Sequence, residues 1–165
     1  MSKLTQERLF EVLHYCPETG NFTWLKKIGK GYVGDLAGSA DTAGYRRIMI
    51  DGERFYAHRL AWFYVYGRWP KHQIDHVNVD CSDNRLSNLR EATQSQNQSN
   101  KPLNKKISGT GFKGVSFHKK QGRFFSRIRV NNKLIHLGCF PTAEEAHQAY
   151  VVAANDIRGD FARIA

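Results

Sequence analysis

Gln73-Ile74-Asp75-His76 leads into an irregular polar loop, Asn78-Val79-Asp80-Cys81-Ser82-Asp83-Asn84, and the loop into Leu86-Ser87-Asn88-Leu89-Arg90. Asn88 follows His76 by twelve residues, and Asn97 follows Asn88 by nine. Each residue type supplies a distinct piece of chemistry. The Asp75 carboxylate is a hard oxygen ligand. The His76 imidazole beside it has a reference pKa near 6.5, so about three-quarters of it is neutral at pH 7 and able to accept a proton. Asn88 carries an amide able to fix a turn. Asn97 offers a second, neutral oxygen one element later, on a short helix that Thr93 can cap. An isolated Asp-His pair is most often a turn or surface pair; two Asn at these intervals, in an Asp83-Asn84-Arg85-Leu86-Ser87-Asn88-Leu89-Arg90 setting, make it a candidate site.

Working outward to the N-terminus, Thr5 can cap a helix on which Leu9, Val12 and Leu13 share a face. Pro17-Glu18-Thr19-Gly20 reads as a turn and residues 21–25 as a strand. A glycine-rich section (Gly29, Gly31, Gly34, Gly38) is no phosphate cradle, because no Gly-Lys-Ser/Thr follows it. Residues 45–50 and 53–57 flank Asp51-Gly52, a two-residue hairpin signal. Residues 58–66 read as a helix stopped by Gly67 and Pro70. His58 at its start reads as a packing residue, Asn84 and Asn100 as loop or cap residues, and Trp24, Trp62 and Trp69 as core or cleft-edge aromatics. Arg46, Arg47 and Arg54 fit a solvated strand face as well as a phosphate contact.

Composition points to nucleic acid. The 165 residues carry a net charge of +10, with 41% apolar residues and a mean hydropathy of -0.56. Residues 1–100 hold 13 Lys/Arg against 11 Asp/Glu, whereas residues 101–165 hold 12 against 4. Between Glu91 and Glu144 there are ten Lys/Arg and no acidic residue. A solvated face mixes signs, so a one-sign stretch of this length fits a surface turned to phosphate. Cys16, Cys81 and Cys139 are odd in number and far apart, which indicates reduced thiols rather than a disulfide framework or a zinc ribbon. The longest apolar run, residues 60–66, is too short to span a bilayer, and Lys3, Glu7, Arg8 and Glu11 are unlike a signal peptide.

Residues 98–110 are polar, basic and rich in breakers, and read as a linker. Beyond it, residues 112–118 and 123–130 read as strands joined through Lys119-Lys120-Gln121-Gly122, with Asn131-Asn132 turning into a third strand over 134–137. Pro141-Thr142 opens a helix on which Ala146, Ala149, Tyr150, Ala153 and Ala154 share a face. Along the second strand Arg123, Phe125, Arg127 and Arg129 alternate with Phe124, Ser126, Ile128 and Val130, which predicts one basic and one mostly apolar face.

With Asn97 in place of a final His, residues 75–97 resemble the HNH nuclease motif as it occurs in many HNH homing endonucleases. The resemblance implies a two-stranded hairpin with a helix across it, clasping one divalent ion. It makes Asp75 and Asn97 the metal ligands and His76 the base that deprotonates water. Asn88 would be the amide that holds the loop after His76. The implied cofactor is Mg2+, with Mn2+ as a substitute.

Lys113-Gly114-Val115, Arg127-Ile128-Arg129, Leu137-Gly138 with Phe140, Thr142-Ala143-Glu144-Glu145-Ala146 and Ala149-Tyr150 resemble the DNA-binding (APETALA-type) domain of plant ethylene-response factors. That resemblance implies a three-stranded sheet with a helix behind and its open face in the major groove. The implied DNA contacts are Lys113, Ser116, His118, Arg123, Arg127, Arg129 and His136, joined by Lys101, Lys105 and Lys106 of the basic linker. Ser116 and His118 stand where the plant pattern has arginines, and His136 where it has Trp, so the plant target sequence does not carry over.

The expectation is therefore an α+β chain: an HNH ββα-metal nuclease domain over residues 1–97, a linker over 98–110, and a three-stranded sheet with one packed helix over 111–165. The expected function is site-specific cleavage of double-stranded DNA by a one-metal mechanism, in a homing or mobile-element setting. The expected location is the cytoplasm of a bacterial host, the chain being phage- or mobile-element-encoded by resemblance. No membrane is expected, and the chain is a monomer, with a homodimer as the alternative. The rival from another class is a non-catalytic DNA-binding regulator; an RNA nuclease is a second rival, disfavoured because side chains cannot enter the narrow major groove of RNA.

Overall fold

Thr5 starts the first helix, α1 (Gln6–Val12), by accepting a hydrogen bond from the Arg8 backbone N–H, which satisfies one of the orphan donors of the first turn. Leu13 does not continue that helix: it turns extended and opens strand β1 (Leu13–Cys16), paired antiparallel with β2 (Asn21–Trp24) across the turn at 17–20. Leu13 still shares a buried cluster with Leu9 and Val12. The expected face is right and the element wrong, because cross-strand pairing of Leu13 with Trp24 outweighs one more residue of helix. In the computed structural model, residues 4–101, 109–131, 133–162 and 164 are described.

A short strand β3 (Ser39–Ala40), β4 (Arg46–Ile50) and β5 (Glu53–Tyr56) form an antiparallel sheet in that order, with β4 and β5 joined at Asp51-Gly52. Helix α2 (Ala57–Tyr66) follows directly and ends at Gly67. Strand β6 (Gln73–His76) then pairs antiparallel with β7 (Leu89–Ala92), after a single 3-10 turn at Leu86–Asn88. One core runs through most of these: Leu9 and Val12 from α1, Tyr15 and Phe22 from the first hairpin, Ile48 and Ile50 from β4, Leu60 and Phe63 from α2, and Ile74 and Leu89 from the last hairpin. Phe22 is fully buried, and its truncation to Ala costs about 3–5 kcal/mol.

The described residues form two compact units, Met1–Ala92 and Thr93–Ala165. The second opens with helix α3 (Gln94–Asn100), started by a capping box in which Thr93 and Gln96 bond each other's backbone N–H. The helix runs to Asn100, three residues into the stretch expected to be linker. Three strands, β8 (Val115–His118), β9 (Arg123–Val130) and β10 (Lys133–Phe140), lie in the antiparallel order β10-β9-β8. Thr142 caps helix α4 (Ala143–Arg158), whose first turn carries Glu144 and Glu145 where the dipole favours anions.

Ala146, Tyr150 and Ala154 of α4 are buried, and Ile128 joins Tyr150 and Ala154 in a small core that Val130, Leu137 and Ala153 extend. Helix and sheet approach closely at Gly114: a Cβ there would run into the Tyr150 ring, and its φ of +78 disfavours any other residue. The alternation expected along β9 is present, with Ser126 and Ile128 buried and Arg123, Arg127 and Arg129 exposed. A bulge between His136 and Gly138 inserts Leu137 and turns it towards the core.

Candidate functional site

Asp75 and Arg90 are direct cross-strand partners on the β6–β7 hairpin. Arg90 holds the Asp75 Oδ2 with its Nε at 2.9 Å and Nη2 at 2.8 Å. Asp75 is only 3% exposed. A carboxylate this deep is sustained by its paired cation, because an unpaired buried charge is strongly disfavoured.

His76, next on the strand, is 4% exposed. Its Nε2 lies 3.2 Å from the Asn84 Oδ1. The Asn84 amide is oriented by its own Nδ2, which donates to the Ser82 carbonyl at 3.1 Å, so Oδ1 can only accept. His76 therefore carries its proton on Nε2 and the lone pair on Nδ1. Burial lowers the His76 pKa from its ordinary value, while the Asn84 bond and the Asp75 charge pull the other way. A lowered pKa favours the neutral ring, the form able to accept a proton.

Three aromatic side chains gather around it. His58, at the start of α2, meets the His76 ring edge to face with centroids 5.2 Å apart. Tyr45 contacts both histidines, at 5.4 and 5.9 Å, and Tyr56 stacks on His58. Burial, then the His76 and Arg59 charges, push the His58 pKa down to about 3. Tyr45 is pushed up to about 12, first by a hydrogen bond with Cys81 and then by burial.

Asn88 ties the loop down. Its Nδ2 donates to the Asn78 Oδ1 at 2.9 Å and to the Asp83 carbonyl at 2.8 Å, and its Oδ1 accepts from the Asn78 N–H. Asp83 pairs with Arg85, which holds its carboxyl down to about 2. The first hairpin buttresses the same loop from outside: the Tyr15 hydroxyl donates to the Asn84 carbonyl at 2.8 Å. Gly20, at φ +73, comes so close to Asn84 and Arg85 that a Cβ would collide with their backbone. A groove of about 750 Å³ beside the glycine-rich loop involves none of Asp75, His76, Asn84 or Asn88.

Asn97 lies on α3, in the second unit. Among the described residues no group of three or more His, Cys, Asp or Glu is placed to hold a metal ion. A hard ion that keeps several waters needs fewer protein ligands and takes oxygen donors; Asp75 is the carboxylate of this set, and its Oδ2 is bonded to Arg90.

The candidate DNA contacts of the second unit separate into two groups. Register places Ser116 and His118 of β8, Arg123, Arg127 and Arg129 of β9, and His136 of β10 on one face of the sheet, opposite the face that α4 covers. Lys113 does not join them: its Nζ donates to the Ser99 and Lys101 carbonyls, both at 2.9 Å. The Lys101 side chain is exposed, and Lys105 and Lys106 lie outside the described residues.

Residues 55–99 match the family model described as HNH endonuclease, and residues 110–160 match the AP2 domain model. The chain joins an HNH segment to an AP2 segment. It is 37% identical over 93 residues to the AP2-like ethylene-responsive transcription factor CRL5 of Oryza sativa subsp. japonica, covering 51% of this chain and 14% of that protein. It is 50% identical over 50 residues to the AP2-like ethylene-responsive transcription factor AIL7 of Arabidopsis thaliana, covering 29% and 10%. The chain thus spans only a small part of these relatives' length. A solved structure, DNA binding and cleavage by the HNH homing endonuclease I-HmuI, is similar over 88% of this chain and 84% of that one, at 20% identity and a TM-score of 0.42.

Within the HNH segment, sequence reasoning missed Asn84 and the proximity of His58. The residue types were visible. Their roles were not, because Asn84 is buried by Tyr15, 69 residues away, and His58 reaches His76 only through the turn from α2 into β6. An Asn in a loop that also holds four other polar side chains carries no local mark of burial.

Proposed function

We propose that this chain is a DNA endonuclease that hydrolyses phosphodiester bonds with His76 as general base. The observation that carries the reading is a buried, neutral His76, locked in one tautomer by Asn84 beside the Asp75–Arg90 pair, in a segment matching the HNH endonuclease model. With its proton on Nε2, His76 takes the proton of an attacking water at Nδ1. Asn88 keeps the loop closed so that Asn84, and through it the imidazole, stays aimed. Asp75, with Asn97 named by the motif, would hold a divalent ion, Mg2+ with Mn2+ as a substitute. When bound, such an ion polarises the phosphate and stabilises the leaving oxygen. The AP2 segment would read duplex DNA with its open sheet face. One site per chain means one strand cut per visit, so a double-strand break needs a second copy or a second visit.

The test is cleavage of duplex DNA by the full chain and by His76→Ala in Mg2+. His76→Ala should lose about 10²–10⁴ in rate while binding DNA as the parent does. Binding lost together with cleavage would make His76 structural. A parent chain that binds specifically and cuts nothing in Mg2+ or Mn2+ would make the protein a DNA-binding regulator instead. Asp75→Ala and Asn97→Ala should shift the metal dependence, with residual activity rising as Mg2+ or Mn2+ is raised; variants that titrate like the parent are not ligand variants.

A further inference from the structure

Phe125 sits near the middle of β9, on the same face as Arg123, Arg127 and Arg129 and opposite the face that α4 covers. Its in-register neighbours on both flanking strands are small, Ser116 on β8 and Cys139 on β10. Its diagonal neighbours are His118 and His136, each with its ring centroid 5.2 Å away. The Arg127 guanidinium lies 5.4 Å from the ring centre. Phe125 is half-buried, with two imidazoles packed beside it and three exposed arginines on the same strand face.

A surface made only to hold phosphate has no use for an apolar ring, because phosphate contacts come from charged and hydroxyl groups and from backbone N–H. Among the groups that the edges of the base pairs present in a B-form major groove, one is apolar: the C5-methyl of thymine. We infer that Phe125 is a specificity-determining residue whose ring receives the methyl group of a thymine in duplex DNA, while Arg127 and Arg129 address neighbouring base edges. Arg supplies donors and is suited to guanine; it gains nothing from a methyl. The ring supplies what the arginines lack. His118 and His136 pack beside the ring, and Ser116 and Cys139 add little bulk next to it. The flexible Arg127 side chain, which lies over the ring in the free protein, moves to its own base edge when the methyl is seated. This rests on the proposal that the open face enters the major groove.

Deoxyuridine differs from thymine by this methyl alone, so the test is atomic. A duplex selected by the full chain from a randomised pool is remade with each thymine in turn replaced by deoxyuridine, and equilibrium affinities are measured for the parent and for Phe125→Ala. One replacement should weaken the parent about fourfold, the worth of one buried methyl group. Phe125→Ala should bind thymine and deoxyuridine duplexes equally well. Phe125→Ser serves as a second variant with the same expected outcome, and the parent arm needs no variant at all. If every replacement leaves the parent unchanged, or if Phe125→Ala keeps the parent's sensitivity, Phe125 does not read a methyl, although the face still reads DNA. A parent that selects no duplex sequence overturns the major-groove proposal and this inference with it.

Discussion

His76 has two partners that matter: Asn84 bonds its Nε2, and the His58 ring packs against it nearly at right angles. Asn84→Ala should remove the acceptor for Nε2–H and free the imidazole to turn. Its expected signature is a fall in cleavage rate of roughly 10- to 100-fold, by analogy with the partners that orient metal-bound histidines, at unchanged DNA affinity. Weaker binding in parallel would show that the loop, not the ring, had moved. His58 makes a prediction about acid. Above pH 6.5 it is neutral in both the folded and the unfolded chain. Below that, the unfolded chain binds a proton that folded His58 refuses until about pH 3. Stability is therefore full above pH 6.5 and falls as pH drops through this window, by up to about 1.4 kcal/mol per unit from His58. His58→Phe should flatten the slope of urea-unfolding free energy between pH 6.5 and 5 without abolishing it, since burial lowers His76 as well. An unchanged slope would mean that His58 is protonated in the fold. At this scale local spacing was enough to nominate Asp75, His76 and Asn88. It hid those whose meaning depends on a distant Tyr15 or Tyr45.

Elements were legible where two local signals agreed. Strand β9 matches its expected span because strict alternation over eight residues coincides with a Gly-containing turn before it and Asn131 after it. Helix α4 is where Pro141-Thr142 placed it. Thr142→Ala should cost about 1 kcal/mol, seen as a lowered melting temperature of the second unit, because the Glu145 N–H is left without its acceptor. A change of a few tenths would show that water replaces the cap. Boundaries failed where one signal stood alone. Strand β8 begins at Val115, not at residue 112, because residues 112–114 form the turn that brings Gly114 against Tyr150. Strand β1 was invisible, four residues without a breaker between helix and strand, and only its partner β2 makes it a strand.

For the molecule as a whole, charge is unevenly shared, and the uneven part is testable without knowing the target site. Arg123, Arg127 and Arg129 lie on one exposed face. Replacing all three with Gln should reduce the slope of log K against log salt for duplex DNA by up to about 2.7, near 0.9 for each phosphate that an arginine no longer neutralises. If Arg127 and Arg129 face bases instead, the slope changes less and sequence preference is what relaxes. An unaltered slope with unaltered preference would remove this face from the DNA interface.

The recognisable HNH segment covers residues 55–99, yet the hydrophobic cluster beneath its hairpin begins at Leu9 and passes through Phe22, Ile48 and Ile50. Tyr15 and Gly20 also press on the loop that aims His76. The portable unit is therefore not the motif. A graft of residues 55–99 onto another scaffold would carry every residue named for the chemistry and leave behind much of the apolar surface that makes them a solid. Any rearrangement that moves this function from one gene to another has to carry the first fifty residues with it, however little they resemble a signature.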